Sequence, residues 1–322
     1  FFCLIFCYIL IKFHHDLLSL GQIGSGNQKA IDALVELIGK PQMDNSTRWQ
    51  AASSLGEIGS GNQKAIDALV ELIGKPQMDN STRWQAASSL GQIGSGNQKA
   101  IDALVKLIGK PQLDDYTRRL AAFRLGKIGS GNQKAIDALV ELIGKPQLDD
   151  YTQRLVASSL GQIDPGNQKA IDALVELIGK PQLDDYTQRL VASSLGQIDP
   201  GNQKAIDALV ELIGKPQLDD YTRRLAASSL GKIGSGNQKT IDALVKSIGK
   251  PQLDHYTRRR AASSSEQIIS EEQMPSVVTK LKDYLSPEIY KNDFERFHNC
   301  YEVIWKCAQS MPYPAFYQAW HQ

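Results

Sequence analysis

The sequence predicts an all-α fold, a right-handed α-solenoid of stacked antiparallel helix pairs, and three observations carry that prediction. The string Gly-Asn-Gln-Lys recurs at Gly26, Gly61, Gly96, Gly131, Gly166, Gly201 and Gly236, always 35 residues apart. Each unit holds two short segments of helical apolar period, separated by turns rich in Gly and Pro. No alternating pattern suited to a β-strand occurs. Two short helices cannot bury their apolar faces alone, so the units must stack, each covering its neighbour's core side. The expected product is a curved, quasi-one-dimensional rod.

Residues 1–23 are expected to form an apolar N-terminal helix, an atypical or truncated first repeat. The run from Phe1 meets Lys12, His14 and His15 too early for a bilayer span, which needs about 20 residues. It also lacks the charged start and small-residue cleavage site of a secretory signal.

Residues 24–268 form the repeat array, and one unit shows the logic of all. Asn132 is a natural N-cap for a helix, here termed B, in which Ile136, Leu139, Val140 and Ile143 fall at i, i+3, i+4 and i+7, with Leu142 on the flank. Gly144-Lys145-Pro146 stops it. Asp149-Asp150-Tyr151-Thr152 then offers caps for a second helix, A, whose Val156, Leu160 and Ile163 are apolar at i, i+4 and i+7, with Leu155 beside them. Gly129-Ser130-Gly131, or Asp164-Pro165-Gly166, supplies the turn back into B.

Residues 269–322 read as a non-repetitive helical C-terminal cap. The apolar positions soften before it: Ser247, Arg260 and Ser265 stand where earlier units have Leu142, Leu225 and Leu230. A terminal cap is expected to show a polar outer face. Pro275–Leu285 reads as a last B-type helix, and Ser286-Pro287 as the start of a longer one over about residues 288–309.

Composition excludes several functions. Lys and Arg total 36 against 35 Asp and Glu, a net charge of +1, so no global field draws the chain to nucleic acid or to a membrane surface. The cysteines form two distant pairs, Cys3/Cys7 and Cys300/Cys307, which is no disulfide scaffold and points to a cytoplasmic location. Each Gly-Ser-Gly-Asn-Gln-Lys opens a helix, as an anion site would, but copies in every strandless unit read as inter-helix turns. His298, Cys300 and Cys307 fall short of a zinc set, and the remaining histidines have no partnered nucleophile. Catalytic residues, a metal site and a cofactor are therefore not expected, and the chain reads as a non-enzyme.

The stretch Tyr116-Thr117-Arg118-Arg119-Leu120-Ala121-Ala122 with Leu125-Gly126-Lys127-Ile128 resembles the short, bilin-lyase-type HEAT repeats common in cyanobacteria, over roughly residues 20–268. The resemblance implies a structural ladder of an Asp before helix A and an Arg near its start: Asp44/Arg48, Asp79/Arg83, Asp114/Arg118, Asp219/Arg223 and Asp254/Arg258. Gln153 and Gln188 depart from it. The resemblance also implies an alternative role, that of a phycobiliprotein chromophore lyase or lyase-associated protein, with a bilin or phycobiliprotein as partner. The tail, from Val277 through Cys300-Tyr301-Glu302-Val303-Ile304-Trp305-Lys306-Cys307 to Trp320-His321, resembles the extreme C-terminus of cyanobacterial NACHT-type signalling NTPases. No Gly-x-x-x-x-Gly-Lys-Ser/Thr phosphate loop is present, so that likeness implies the sensor half of such a protein.

The primary expectation is a scaffold or sensor that binds another protein. Two surfaces are candidates. On the B helices, Lys29, Asp32 and Glu36 lie opposite the buried stripe and recur as Lys64, Asp67 and Glu71, while Lys106 takes the Glu position in a later unit. Residues 26–60 and 61–95 differ only at Glu57 versus Gln92, so the variation elsewhere is the better guide. Trp49 and Trp84 stand where later units have Arg119, Arg154, Arg189, Arg224 and Arg259, and Phe123-Arg124 replaces Ser-Ser. Trp and Arg are frequent interface anchors, which makes Trp49, Trp84, Arg119, Phe123 and Arg124 a candidate contact patch.

Overall fold

The structure, a computed structural model, describes residues 26–322, so the helix expected over residues 1–23 lies outside the described residues. Helices account for all the regular structure among those described. The B helices are α1 (Gln28–Gly39), α3 (Gln63–Gly74), α5 (Gln98–Ile108), α7 (Gln133–Ile143), α9 (Gln168–Ile178), α11 (Gln203–Gly214) and α13 (Gln238–Gly249). The A helices are α2 (Asn45–Ile58), α4 (Asn80–Ile93), α6 (Asp115–Ile128), α8 (Asp150–Ile163), α10 (Asp185–Leu195), α12 (Asp220–Ile233) and α14 (His255–Ile268). None of the described helices is long and apolar enough to cross a membrane.

Local chemistry starts each helix. Asn132 accepts from the Ala135 N–H at 3.2 Å, and Asp114 accepts from the Thr117 N–H at 2.9 Å, each satisfying an orphan donor of a first turn. The chain divides into two compact units, one ending at Ile163 and the other running Asp164–Gln322. In the first, α1 packs on α2, α3 on α4, α5 on α6 and α7 on α8, while B rests on B and A on A along the stack. The second repeats the scheme from α9 to α14.

The buried stripe of a B helix differs from the expected one: Val140 drops out, and Ala135 and Leu142 join it. In α7 it is Ala135, Ile136, Leu139, Leu142 and Ile143, and Val140 is only half-buried. Leu142 reaches the core because the following A helix and the neighbouring B helix together cover more than one narrow stripe. Each such Leu or Ile removed from water contributes roughly 1.5–3 kcal/mol.

The A helices pack through small residues. A side chain at Gly56 would lie 2.6 Å from Ser89 Oγ, and Gly126 meets Ser159 in the same way. This close approach explains why A helices alternate Gly, Ala and Ser where B helices carry Leu and Ile. The turn between A and B adds a backbone tie. Gly61 adopts φ +68°, and its N–H donates to the carbonyl of Ile93, the end of the next A helix, at 3.2 Å. Gly96 to Ile128 (3.0 Å), Gly201 to Ile233 (2.7 Å) and Gly236 to Ile268 (3.2 Å) repeat that bond, which satisfies a helix-end carbonyl otherwise without a partner.

The C-terminal cap comprises α15 (Met274–Leu281), a 3₁₀ turn over Lys282–Tyr284, α16 (Pro287–Asn292), α17 (Phe294–Ser310) and α18 (Tyr313–His321). The single helix expected over 288–309 is broken at Asp293, whose φ −150° and ψ 69° are not helical. Asp293 instead N-caps α17, accepting from the Arg296 N–H at 3.1 Å. The α18 helix folds back on α15, where Thr279 Oγ1 donates to the Ala319 carbonyl at 3.1 Å and Lys282 Nζ to the Trp320 carbonyl at 2.9 Å.

Candidate functional site

The B-helix face is a polar lattice that joins successive repeats. Asn62 uses Oδ1 to cap its own helix and donates through Nδ2 to Gln28 Oε1 of the preceding unit at 2.9 Å. Gln28 donates in turn to Asp32 at 2.9 Å, and Lys64 donates to the same carboxylate oxygen at 2.9 Å. Asn97, Gln63, Asp67 and Lys99 reproduce the set one unit on. The Asn-Gln-Lys of the recurring motif thus serves the seams between units, with partners 32 to 34 residues away. The hydrogen bond from Lys64, then that from Gln28, holds the Asp32 carboxyl below the usual carboxylate range. Exposed pairs of this kind are screened by solvent and add little stability, so they set register more than strength.

Little of the expected B-face binding set is left unspent. Asp32, Lys64 and Asp67 are committed to the lattice, and Glu36 and Glu71 pair with Lys40 and Lys75 at 3.0 and 3.2 Å. Lys29 is exposed. Lys106 breaks the acidic column: burial, then the charges of Arg83 and Lys106, holds the Lys110 pKa down, which marks a local positive spot.

The N-terminal edge of the A helices carries a second ladder, displaced by one residue from the one the resemblance implies. Arg48 donates to the Lys40 and Pro41 carbonyls, Arg83 to that of Lys75, Arg118 to that of Leu113, and Arg223 to those of Ile213 and Leu218. The guanidinium groups thus tie down the B-to-A loop, and each of these arginines meets the Asp four residues earlier through its backbone N–H, which donates to the Asp carbonyl. Those Asp residues, Asp44, Asp79, Asp114, Asp219 and Asp254, cap their A helices. Ion pairs from one A helix to the capping Asp of the following A helix run through the next column: Arg119 to Asp149 (4.0 Å), Arg189 to Asp219 (3.0 Å) and Arg224 to Asp254 (3.6 Å). Burial raises the Asp219 pKa, but the Thr222 hydrogen bonds and the Arg189 charge outweigh it and leave the carboxyl lowered.

Tyrosines interleave with these arginines. The Arg119 guanidinium lies 5.7 Å from the Tyr116 ring and 4.9 Å from that of Tyr151, within cation–π range of both. Arg224 stands likewise over Tyr221 and Tyr256. The tyrosines remain half or more exposed, so the edge is an aromatic and basic stripe. Sequence reasoning missed them as a surface feature, although their 35-residue recurrence at Tyr116, Tyr151, Tyr186, Tyr221 and Tyr256 was there to be read.

Of the candidate contact patch, the structure brings Trp84 and Arg119 into this stripe. Trp84 stacks on Tyr116 with centroids 5.8 Å apart, taking the place that Arg holds in later units. Trp49 is half-buried beside a unit that has Ser81 where the next has Tyr116. Phe123 lies 5.5 Å from Lys127 and 5.8 Å from Arg124. Arg124 is a packing residue: it lies over Gly91, where a side chain would collide with it, and donates to Ser88 Oγ at 3.0 Å.

In the C-terminal cap, Cys300 and Cys307 are buried on the inner face of α17, and burial pushes their thiols up to about 12 and about 11. Thiols in that state are packing groups. No group of three or more His, Cys, Asp or Glu is placed to hold a metal ion among the described residues.

A family model described as HEAT repeats matches residues 17–80, 42–115, 111–186 and 182–266. A second, described as NACHT C-terminal Cysteine and Histidine-containing, matches residues 293–321. Among solved structures, the complex of CpcE and CpcF of phycocyanin lyase from Nostoc sp. PCC7120 is similar, at 22% identity and a TM-score of 0.43, over 81% of this chain and 97% of that one. Human deoxyhypusine hydroxylase in complex with glycerol is similar at 15% identity and a TM-score of 0.36, over 88% of this chain and 97% of that one. No curated protein matches the chain.

Proposed function

The chain belongs to the HEAT-repeat proteins, whose arrays are generally protein-interaction modules, and from that premise we propose a non-catalytic scaffold that binds another protein through the A-helix edge near Trp84, Tyr116, Arg119 and Tyr151. One observation carries the reading: exposed tyrosines alternate with arginines there, whereas the B-face charges are neutralised within the lattice. Tyr, Trp and Arg are the residues that most often dominate binding energy, because they bring large rigid area and donors at low entropic cost. The match at residues 293–321 supports a finer reading, in which the array is the sensor region at the end of a larger NACHT-type NTPase.

Photo-crosslinking tests the surface. A photoreactive phenylalanine at position 116 and another at 71, on the B face, are compared in a lysate of the source organism, and captured species are identified by mass. One protein captured from 116, and lost when Tyr151 is changed to Ser, supports the edge. Equal capture from 71 overturns it, and a bilin-bearing protein at either position moves the reading to chromophore attachment.

A further inference from the structure

The end of the C-terminal cap departs from the rule that a terminal element shows water a polar face. Tyr301, Trp305, Tyr313, Tyr317 and Trp320 on α17 and α18 are 42, 52, 75, 50 and 36% exposed. With Ile304 and Phe316 they line an open cleft of about 330 Å³ whose walls are almost wholly apolar. Their rings are aligned in advance: Tyr301 and Trp305 stack at 6.0 Å, as do Phe316 and Trp320, and Tyr317 lies 4.0 Å from the His321 ring.

We propose that this cleft is a self-interface, the two-fold contact through which two copies of the chain pair cap to cap. Three arguments select a second copy as the occupant. The first is area. Covering an aromatic side chain removes about 150–250 Å². The exposed portions of these five therefore amount to about 500 Å² per copy and about 1,000 Å² across a two-fold interface, which reaches the threshold for a specific one.

The second argument is charge. A two-fold contact sets a surface against itself, so a charged centre would repel its own copy. This centre contains no Asp, Glu, Lys or Arg. Both signs stand at its margin: Lys282, held to the Trp320 carbonyl, and Glu302 and Lys306, which flank Tyr301 and Trp305 on α17. The chain as a whole carries +1, too little to oppose self-association. The third is the want of polar groups. A small-molecule pocket orients its ligand with a few convergent donors or acceptors, whereas here the tyrosine hydroxyls, the indole N–H groups of Trp305 and Trp320 and the His321 ring, its Nδ1 2.8 Å from the Tyr317 carbonyl, present almost no polar surface to the cleft.

Sedimentation velocity on the full chain from about 1 to 200 μM tests the proposal, with a W305E/Y317E variant checked by circular dichroism for unchanged helicity. Because both residues are about half exposed, the variant is expected to fold. Wild type should pass from monomer to dimer across the range, and the variant should need at least tenfold higher concentration. If the variant loses helicity, the milder Y313S/Y317S pair carries the comparison. Wild type that stays monomeric overturns the proposal, as does a variant that dimerises equally well. Monomeric wild type that binds a naphthalenesulfonate dye one to one through Trp305 shows that the cleft takes small apolar molecules instead.

Discussion

Arg258 and Asp293 hold each other through two hydrogen bonds of 3.0 Å, and this pair fastens the C-terminal cap to the last repeat helix. The equivalent Arg48, Arg118 and Arg223 spend their guanidinium groups on loop carbonyls. Arg258 is nearly buried, so removing its partner leaves an uncompensated charge, which costs about 3 kcal/mol. Asp293→Ala should therefore lower stability by that order in urea titration and speed amide exchange across α17. Asp293→Asn keeps an N-cap acceptor and should lose less. Equal losses of under about 0.5 kcal/mol from both would show that the pair does not fasten the cap.

Two glycines separate backbone strain from crowding. At Gly61 the φ of +68° is unfavourable for Ala, but a Cβ would meet nothing within 4 Å, so Gly61→Ala should cost about 1–2 kcal/mol. At Gly56 the backbone is helical and the obstacles are the movable end of Gln92 and, less able to give, Ser89, whose Cβ would lie 2.9 Å away, so Gly56→Ala should cost about 1–3 kcal/mol through overpacking. Adding Ser89→Gly should restore part of the Gly56→Ala loss and none of the Gly61→Ala loss. Rescue of both or of neither would show that helix spacing is not set by this contact.

Helix order and turns were legible in the sequence because Asn and Asp caps, Pro stops and apolar period act within a few residues. What was illegible depends on partners a whole repeat away. Val140 and Leu142 both fit a helical stripe, and only the neighbouring helices decide that Leu142 is the buried one. Arg118 and Arg119 are adjacent, and spacing alone does not tell which turns to the loop and which to Asp149. Nothing local breaks a helix at Asp293, which has neither Gly nor Pro beside it; its partner Arg258 lies 35 residues back. Of the edge proposed for binding, the variation between repeats flagged Trp84 and Arg119, but not the tyrosines that sit between them.

Acid should loosen the array. Asp149, Asp219 and Asp254 each titrate below the ordinary carboxyl range, since hydrogen bonds from Thr at the helix start outweigh the upward effect of burial. A carboxylate whose pKa is lower when folded stabilises the fold in its ionised form. The contribution is complete above the unfolded value of about 3.9 and is lost as pH falls through the folded value. Thermal midpoints should hold steady from pH 7 to about pH 5 and drop steeply below about pH 4. The Asp219→Asn variant should begin lower at neutral pH and fall less on acidification, and a parallel fall would assign the acid sensitivity elsewhere.

Cys300 and Cys307 should be inert in the folded protein. With thiols pushed up to about 12 and about 11 by burial, almost no thiolate exists at pH 8. Iodoacetamide at that pH should leave both unmodified in peptide mass maps over hours and alkylate both within minutes in strong urea. Native labelling at either position would mean that α17 opens far more often than its packing implies.

Trp84 occupies the Arg column at a cost that its own neighbours reveal. Where Arg189 stands in that column it donates to Asp219, but Asp114, the carboxylate that would face an Arg at position 84, has a buried Oδ2 without a hydrogen-bond partner, and Trp84 Nε1 is buried and unpartnered too. Orphan polar atoms of this kind cost roughly 1–3 kcal/mol. Trp84→Arg should supply the missing donors, keep a cation–π contact with Tyr116 in place of the stack, and raise stability by about 1 kcal/mol after the loss of indole burial. A chain more stable without its tryptophan, yet poorer at capturing the partner crosslinked from position 116, is what a binding role for this edge requires. If Trp84→Arg destabilises the array instead, the tryptophan is a packing residue and the contact surface must be sought away from it.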